Sequence, residues 1–232
     1  MTRPFHFKQF SITQEHSAHK VGTDGVLLGA WANVKGANSI LDVGTGTGVI
    51  ALMMAQRSNA RITALEPDRP SFEEAIQNVV ASPWAERIHV HHTTLQAFAA
   101  EHESRVDLLI SNPPYFVGST KSGNAARDAA RHTDGLPLET LAQCSYQLAQ
   151  RMCVVLPIVE AQQFLESACA IGWQRHRTLE VTGRNGKAPE RWLLELGKAP
   201  ITPVTETLVI ESAPRVFTNA YKHVTQAFYL NF

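Results

Sequence analysis

Short apolar runs alternate with amphipathic stretches between residues 39 and 171 of this chain. An apolar run of roughly four to eight residues predicts a buried strand, whereas apolar positions three or four apart predict a helix. The predicted strands are residues 39–43, 62–66, 88–92, 106–111 and 153–156. The predicted helices are residues 49–56, 71–80, 95–100, 138–151 and 161–170. Strict alternation of this kind indicates a parallel sheet with helices on both faces.

The pattern changes after Gly172, where only strand-like segments follow. Residues 175–182 and 191–196 flank Asn185-Gly186, a dipeptide that favours the tight turn of a hairpin. Residues 217–232 end in an apolar segment that we expect to pack back on the sheet. The sequence therefore predicts an α/β, Rossmann-like fold with a seven-stranded, mostly parallel sheet and a late antiparallel hairpin. Residues 1–38 are expected to be an N-terminal extension of one structural domain, whose main part is residues 39–232.

Composition narrows the class of protein without naming a function. The chain has 232 residues, 44% of them hydrophobic and 18% charged, which is typical of a globular protein with one substantial core. No apolar run approaches the roughly 18 residues of a membrane span, and no signal peptide is evident. Three cysteines without close spacing predict reduced thiols in a cytoplasmic protein. The ten histidines show no metal-ligand spacing, so we expect no metal site.

A glycine-rich turn follows the first predicted strand of the main domain. Residues 42–48 read Asp-Val-Gly-Thr-Gly-Thr-Gly, and glycine there lets the backbone approach a ligand closely. Glu66 ends the next strand, where its carboxylate can accept hydrogen bonds from both hydroxyls of a ribose. The candidate cofactor contacts of this region are Asp42, Gly44, Thr45, Gly46, Gly48 and Glu66.

Two kinds of nucleoside cofactor compete for such a turn. Nicotinamide and flavin sites usually read Gly-x-Gly-x-x-Gly, which would require glycine where this chain has Val49. An acidic residue two positions before the first glycine suits a cationic sulfonium and ammonium, and suits a pyrophosphate poorly. The spacing therefore favours S-adenosylmethionine over NAD. A glycine-rich turn that binds no ligand is the remaining alternative.

The second informative segment, Asn112-Pro113-Pro114-Tyr115, follows the predicted strand 106–111. An exocyclic amine or an amide has its lone pair delocalised into a π system and is a poor nucleophile. The Asn112 side-chain oxygen and the Pro113 carbonyl can accept its two N–H bonds, while Tyr115 can stack on the planar group. The prolines restrict the backbone that aims the carbonyl. We therefore predict methyl transfer from S-adenosylmethionine to a conjugated nitrogen, with a turn that merely ends a strand as the alternative.

With both motifs in view, the chain resembles the class I S-adenosylmethionine-dependent methyltransferases over nearly its whole length. It is most similar to the bacterial tRNA adenine-N6 methyltransferases that modify position 37 of a valine tRNA. The resemblance includes residues 19–31 and implies that this stretch folds over the cofactor, which makes Thr23, Asp24 and Gly25 further cofactor candidates. A helix N-terminus capped by Asp24 is the structural alternative.

One position departs from the family pattern. The family often carries an acidic residue after the third strand that holds the cofactor adenine, whereas residues 92–96 here contain no carboxylate. Thr94 or Gln96 can take that role, and we choose Thr94 as the candidate.

Enzymes that share the Asn-Pro-Pro-Tyr segment act on adenine in DNA, on adenine or guanine in RNA, or on protein glutamine. The chain has no room for the extra domains typical of the DNA and glutamine enzymes, which favours tRNA or another RNA, with rRNA bases and a glutamine amide as alternatives. A base in an RNA loop can be splayed out into a pocket. The candidate substrate contacts are Phe116, Lys121, Arg131 and Lys187. We expect a monomer with no membrane partner and a weak, salt-sensitive affinity for RNA.

Overall fold

The structure, a computed structural model, describes residues 3–17, 19–114 and 136–232. Its centre is one mixed sheet whose strands lie in the order β11-β10-β8-β9-β7-β6-β3-β4-β5. The strands are β3 (Ser39–Val43), β4 (Arg61–Leu65), β5 (Ile88–His91), β6 (Val106–Ser111), β7 (Ala149–Pro157), β8 (Gln174–Arg184), β9 (Arg191–Gly197), β10 (Val204–Ala213) and β11 (Val216–Phe217). The strands predicted within residues 39–156 and the late pair are all present, which confirms a Rossmann-like α/β fold.

The prediction of seven strands is wrong for this sheet. The seven predicted strands form a continuous block, but β10 and β11 extend that block beyond β8 in the described part of the chain. β10 runs parallel to β8, and β11 folds back antiparallel to β10. The first four residues of β10 are exposed, so the strand lacks the continuous apolar run that marks a buried strand in sequence.

The predicted late hairpin is confirmed. β9 is antiparallel to both β7 and β8, whereas β3 to β7 are mutually parallel where they pair. Gly186 in the connecting turn has φ 82°, a left-handed conformation that glycine adopts without a steric penalty. The Asn-Gly dipeptide therefore reverses the chain where the sequence predicted.

Helices cover both faces of the sheet. They are α1 (Thr23–Trp31), α2 (Val49–Arg57), α3 (Arg69–Val80), α4 (Leu95–Glu101), α5 (Leu138–Leu148), α6 (Ile158–Ile171) and α7 (Asn219–Thr225). The five helices predicted from periodicity are α2 to α6. The expectation that only strands follow Gly172 is wrong, since α7 begins after a Thr218 cap. No helix of the described residues is long and apolar enough to cross a membrane.

One predicted boundary is wrong by three residues. The apolar spacing predicted a helix to Arg151, but α5 ends at Leu148 and the next three residues belong to β7. Ala149 and Arg151 are paired there with Val106 and Leu108 of β6. Backbone pairing in a buried parallel sheet overrides the local helical pattern, because each unpaired buried N–H or C=O group would be costly.

The hydrophobic core lies on the two sides of the sheet. One cluster joins α1 and α2 to the sheet and includes Phe228 near the C-terminus. The other joins α5 and α6 to the opposite face around Trp173. Residues 217–232 pack back as predicted, with Tyr221 and Phe228 buried and α7 against β10.

The N-terminal segment is attached at two places. A short hairpin of β1 (Phe5–His6) and β2 (Ser11–Ile12) joins the C-terminal segment, where the Lys8 N–H donates to the Phe228 carbonyl at 2.8 Å. Further along, the buried Glu74 carboxylate of α3 accepts the backbone N–H groups of Glu15, His16 and Ser17. These contacts hold residues 13–17 against α3, next to the glycine turn.

Candidate active site

The glycine turn and the Asn112 segment lie at the same edge of the sheet. β3 and β6 are parallel neighbours, and their last residues, Val43 and Ser111, are paired. The buried Ser111 hydroxyl donates to the Val43 carbonyl at 2.8 Å and so ties the two strand ends together. The first residues of both loops therefore start from adjacent points at the carboxyl edge, which is where ligands bind in open α/β sheets.

The glycine turn needs glycine for its backbone conformation. Gly44, Gly46 and Gly48 have φ values of 70°, 56° and 82°, which residues with a Cβ atom rarely adopt. The N–H groups of Gly44 and Thr45 donate to the Leu65 carbonyl at 2.9 and 3.0 Å, so the turn is attached to β4. A Cβ atom added at Gly44 or Gly46 would meet nothing within 4 Å in the described structure. Conformation rather than crowding explains the glycines at these two positions.

Glu66 connects the end of β4 to the glycine turn. One carboxylate oxygen accepts the Gly46 N–H at 2.8 Å and the other accepts the Asp68 N–H at 2.9 Å. The residue is 7% exposed, and burial raises the pKa of its carboxyl although the two backbone N–H groups oppose that shift. Each oxygen keeps a further lone pair, so Glu66 can shape the turn and accept ligand hydroxyls at the same time.

Asp42 is fully buried beneath the turn. Its Oδ2 accepts the Thr45 hydroxyl at 2.6 Å, and its Oδ1 has no well-formed hydrogen bond among the described residues. Burial raises the pKa of this carboxyl to about 7, despite the opposing effects of the Thr45 hydroxyl and the Ala51 backbone N–H. The Oδ1 atom therefore keeps acceptor capacity that a positively charged ligand group could use.

Asn112 has a similar unsatisfied oxygen. Its Oδ1 is buried and has no hydrogen-bond partner among the described residues, although the residue as a whole is partly exposed. Pro113 is buried and Pro114 exposed, so the segment leaves the core within three residues. A Cβ atom on Gly25 would lie 3.6 Å from the Asn112 Nδ2 atom, which places the first turn of α1 against the amide. Residues 25 and 112, far apart in sequence, thus form one wall of the site.

The other candidates in α1 lie next to this wall. α1 begins at Thr23 with Gly22 in the capping position, so the alternative in which Asp24 caps the helix is wrong. Asp24 instead accepts a hydrogen bond from the Arg191 guanidinium at 3.0 Å. Since Arg191 begins β9, this ion pair joins the late hairpin to the start of α1.

Thr94 and Lys187 are found in ordinary structural settings. The Thr94 hydroxyl oxygen caps α4 by accepting the Ala97 N–H at 3.2 Å, and its O–H is left to donate elsewhere. Lys187 is exposed in the turn between β8 and β9. Four further predicted residues, Tyr115, Phe116, Lys121 and Arg131, lie outside the described residues.

Sequence reasoning missed Asn78, which supports the turn from below. Its side-chain N–H₂ group donates to the Thr47 carbonyl at 2.9 Å and the Thr13 carbonyl at 2.8 Å, and its oxygen accepts the Thr13 N–H. It thereby joins the N-terminal segment to the glycine turn. Glu74 and Asn78 could have indicated this role in the sequence. They lie one helical turn apart on α3, and polar residues at that spacing interrupt the face of a helix that is expected to be apolar.

The described residues hold no group of three or more His, Cys, Asp or Glu side chains that could bind a metal ion. The described groups at this edge include the Asp42, Glu66 and Asn112 oxygens, backbone N–H groups and glycines. Such groups are suited to binding a nucleoside and an amine.

A Rossmann-like sheet with a glycine turn and an Asn-Pro-Pro segment at one carboxyl edge is typical of transferases that use a nucleoside cofactor. The family model described as "Methyltransferase small domain" matches residues 16–134. The chain belongs to this methyltransferase family.

Full-length relatives carry one name. Proteins from Pectobacterium carotovorum and Phocaeicola vulgatus are each 42% identical to the chain, over 231 and 230 residues. The first alignment covers 97% of this chain and 93% of the Pectobacterium protein. The second covers 98% of this chain and 97% of the Phocaeicola protein. A protein from Escherichia coli O157:H7 is 38% identical over 231 residues, which are 97% of this chain and 94% of that protein. All three are called tRNA1(Val) (adenine(37)-N6)-methyltransferase.

Solved structures share the fold at low sequence identity. A protein described as a predicted O-methyltransferase, from Agrobacterium tumefaciens, superposes with a TM-score of 0.66 at 16% identity, covering 88% of this chain and 96% of that one. The N-terminal domain of human METTL16, solved in complex with SAH, gives a TM-score of 0.54 at 17% identity, covering 82% and 76%. At these identities the likeness establishes the fold alone.

Proposed function

We propose that this enzyme transfers a methyl group from S-adenosylmethionine to the N6 amine of an adenine in tRNA, at position 37 of tRNA1(Val). The observation that carries the proposal is the Asn112 oxygen at the edge shared by β3 and β6, which has no hydrogen-bond partner in the described part of the chain. The substrate comes from the name of full-length relatives at about 40% identity. The fold and the site support a conjugated amine as the methyl acceptor, and the relatives' name supports tRNA.

The residues at the site fit the proposed cofactor. The fully buried Asp42 has an oxygen without a well-formed hydrogen bond, which suits a cationic methionine end. Among the described residues, nothing lies within 4 Å of a Cβ atom added at Gly44 or Gly46, which leaves room for a ligand against the backbone. Glu66 lies at the end of β4 with lone pairs that can accept the ribose hydroxyls.

These features suggest how the cofactor contacts are divided. Asp42 and the start of α1 would bind the methionine end of the cofactor. The glycine turn and Glu66 would bind its ribose, and the Thr94 hydroxyl would bind its adenine. The complete proposed set is Thr23, Asp24, Gly25, Asp42, Gly44, Thr45, Gly46, Gly48, Glu66 and Thr94.

The chemistry at the acceptor needs no acid–base pair. When bound, S-adenosylmethionine supplies an electrophilic methyl group, which the amine lone pair takes while the carbon–sulfur electron pair stays on sulfur. Asn112 Oδ1 and the Pro113 carbonyl accept the two amine N–H bonds, and this makes the nitrogen more pyramidal and its lone pair more available. Pro114 restricts the backbone, Tyr115 stacks on the base, and the extra proton leaves to solvent after transfer. Alignment and electrostatics thus account for catalysis.

The remaining substrate contacts are proposed from chemistry alone. Phe116 would extend the stacking surface, and Lys121 and Arg131 would meet phosphates. We further propose a monomer that acts in the cytoplasm, because one chain contributes both loops of the site and tRNA is the substrate.

The proposal is tested by identifying the methylated nucleoside. The enzyme is incubated with labelled S-adenosylmethionine and a tRNA1(Val) transcript, which is then digested and separated by mass. We expect N6-methyladenosine, and a matched transcript with guanine at position 37 should accept no label. Methylated guanosine would redirect the proposal to another RNA base. Label that survives RNase and migrates with protein would replace it with a glutamine amide.

Cofactor affinity is expected to depend on pH through Asp42. The folded protein holds the pKa of this carboxyl at about 7, above the ordinary value of 3.8, so it binds a proton between these limits that the unfolded chain lacks. Stability of the cofactor-free protein therefore falls as pH rises across that window. Binding of a cation requires the carboxylate, so affinity should rise about twentyfold from pH 5.5 to 7.5.

Titration calorimetry with S-adenosylmethionine at several pH values measures this dependence. Asp42→Asn is the matched control, because it keeps the size of the side chain and cannot ionise. It should bind more weakly at pH 7.5 and show little change with pH, since any titration of the cofactor itself is common to both proteins. Equal slopes in the two proteins would rule out Asp42 as the titrating group.

A further inference from the structure

Two surface turns project from the carboxyl edge of the sheet beyond Asn112. β8 and β10 run parallel to β7 and β6, so the turn after β8 and the turn after β10 leave the sheet at the same edge as Asn112. The Asn185 N–H donates to the Glu211 carbonyl at 2.9 Å, which places the start of the turn after β8 beside the end of β10. We call residues 184–191 and 211–215 the two-turn surface.

The two-turn surface is basic in a chain whose net charge is zero. It contains four basic residues (Arg184, Lys187, Arg191 and Arg215) and two acidic ones, Glu190 and Glu211. Arg184 is paired with Glu211 at 3.2 Å, and Arg191 is paired with Asp24.

Lys187 and Arg215 differ from the other two basic residues. Both are exposed, and neither forms an ion pair with any acidic side chain in residues 3–17, 19–114 or 136–232. Two positive charges on this surface are therefore available to an external anion.

Arg215 also has a strained backbone. Its φ is 63°, and it is the single residue other than glycine with positive φ among those described. It follows Pro214 in the tight turn between β10 and β11. Glycine or asparagine would adopt this backbone conformation at a lower energetic cost. Strained backbone conformations cluster at functional sites, so the strain at Arg215 suggests a function for its side chain.

We propose that Lys187 and Arg215 bind phosphate groups of the RNA substrate on the side of Asn112 opposite the cofactor. The strand order supports this arrangement, because β3 and β4 carry the glycine turn and Glu66 on one side of β6, and β7 to β10 lie on the other. An RNA backbone that crosses the two-turn surface can present a splayed base to Asn112 without meeting the cofactor. This inference rests on the proposed function, since it assumes an RNA substrate.

Arg215→Gly is the informative variant because it removes the charge and relieves the backbone strain together. We expect tRNA binding, followed by fluorescence anisotropy, to weaken about three- to tenfold. The slope of log K against log salt should fall by about one, as for the loss of one phosphate contact. Thermal stability should be unchanged or higher, which separates the effect from damage to the fold. Lys187→Gln should weaken binding to a similar extent, and the double variant further.

The matched control is Arg61→Gln. Arg61 is an exposed arginine at the start of β4, at the opposite edge of the sheet, and its replacement should leave tRNA affinity and salt slope unchanged. Wild-type affinity in both Arg215→Gly and Lys187→Gln would overturn the inference, as would equal losses in Arg61→Gln. Failure of the proposed function looks different, because the unaltered enzyme would then leave tRNA adenine unmethylated whatever the affinities of the variants.

Discussion

Asn112→Ala is expected to lower the rate of methyl transfer by about a hundredfold to a thousandfold. The change removes a buried side-chain oxygen next to the end of β6 that has no hydrogen-bond partner among the residues the structure describes. Loss of a preorganised polar group that acts on the reacting atoms typically costs about 2.7–4 kcal/mol of transition-state stabilisation. Cofactor affinity should remain within about threefold, because Asn112 acts on the acceptor amine. Single-turnover transfer to tRNA and calorimetry with adenosylhomocysteine measure the two quantities.

Asn38→Ala is a suitable control for this prediction. Asn38 is an exposed asparagine just before β3, at the edge of the sheet opposite Asn112. Its backbone N–H donates to Asp107, and its carbonyl accepts the Arg61 N–H. Transfer by that variant should equal transfer by the wild type. If Asn112→Ala keeps more than about a tenth of the activity, the acceptor role of Asn112 is wrong.

Glu66→Ala is expected to weaken cofactor binding about a hundredfold. It removes the carboxylate proposed to accept the ribose hydroxyls, and hydrogen bonds to a charged group contribute about 1.5–3 kcal/mol each. It also leaves the N–H groups of Gly46 and Asp68 without their acceptor, so the glycine turn should lose its shape in the free protein. Calorimetry with adenosylhomocysteine measures the loss.

Glu66→Gln separates the two contributions. Glutamine keeps one side-chain oxygen and the volume, so the turn should be less disturbed, and the loss of affinity should be nearer tenfold. The N–H₂ group of glutamine cannot accept the second backbone N–H, so the fold should be less stable than that of the wild type. Cofactor affinity within twofold of the wild type in Glu66→Ala would remove Glu66 from the site.

Distant segments hold the proposed site in place. Arg191 of β9 is paired with Asp24. The next residue, Gly25, lies against the Asn112 amide. Asn78 of α3 bonds both the N-terminal segment and the glycine turn. The site therefore depends on contacts between segments at least thirty residues apart, even though its two main loops are local motifs.

Much of the fold is evident in the local pattern. The strand of residues 106–111 is predicted to the residue, since a buried parallel strand is a short apolar run with a clear end. The Asn185-Gly186 turn is equally clear, because this dipeptide is a strong turn signal, and Gly186 takes the left-handed position that the turn requires. β10 was not predicted, because its side chains alternate weakly and its register comes from pairing with β8.

The sequence by itself determined the order of the elements and the chemical groups of the two loops, since both depend on residues close together in the chain. It could not determine which polar groups are left without partners. The buried acceptor oxygens of Asp42 and Asn112, the pairing of Asp24 with Arg191 and the exposed charge of Arg215 exist only once segments far apart in sequence have packed. Hydrogen bonding and burial are properties of a residue's neighbours in space, and only the tertiary structure decides what those neighbours are.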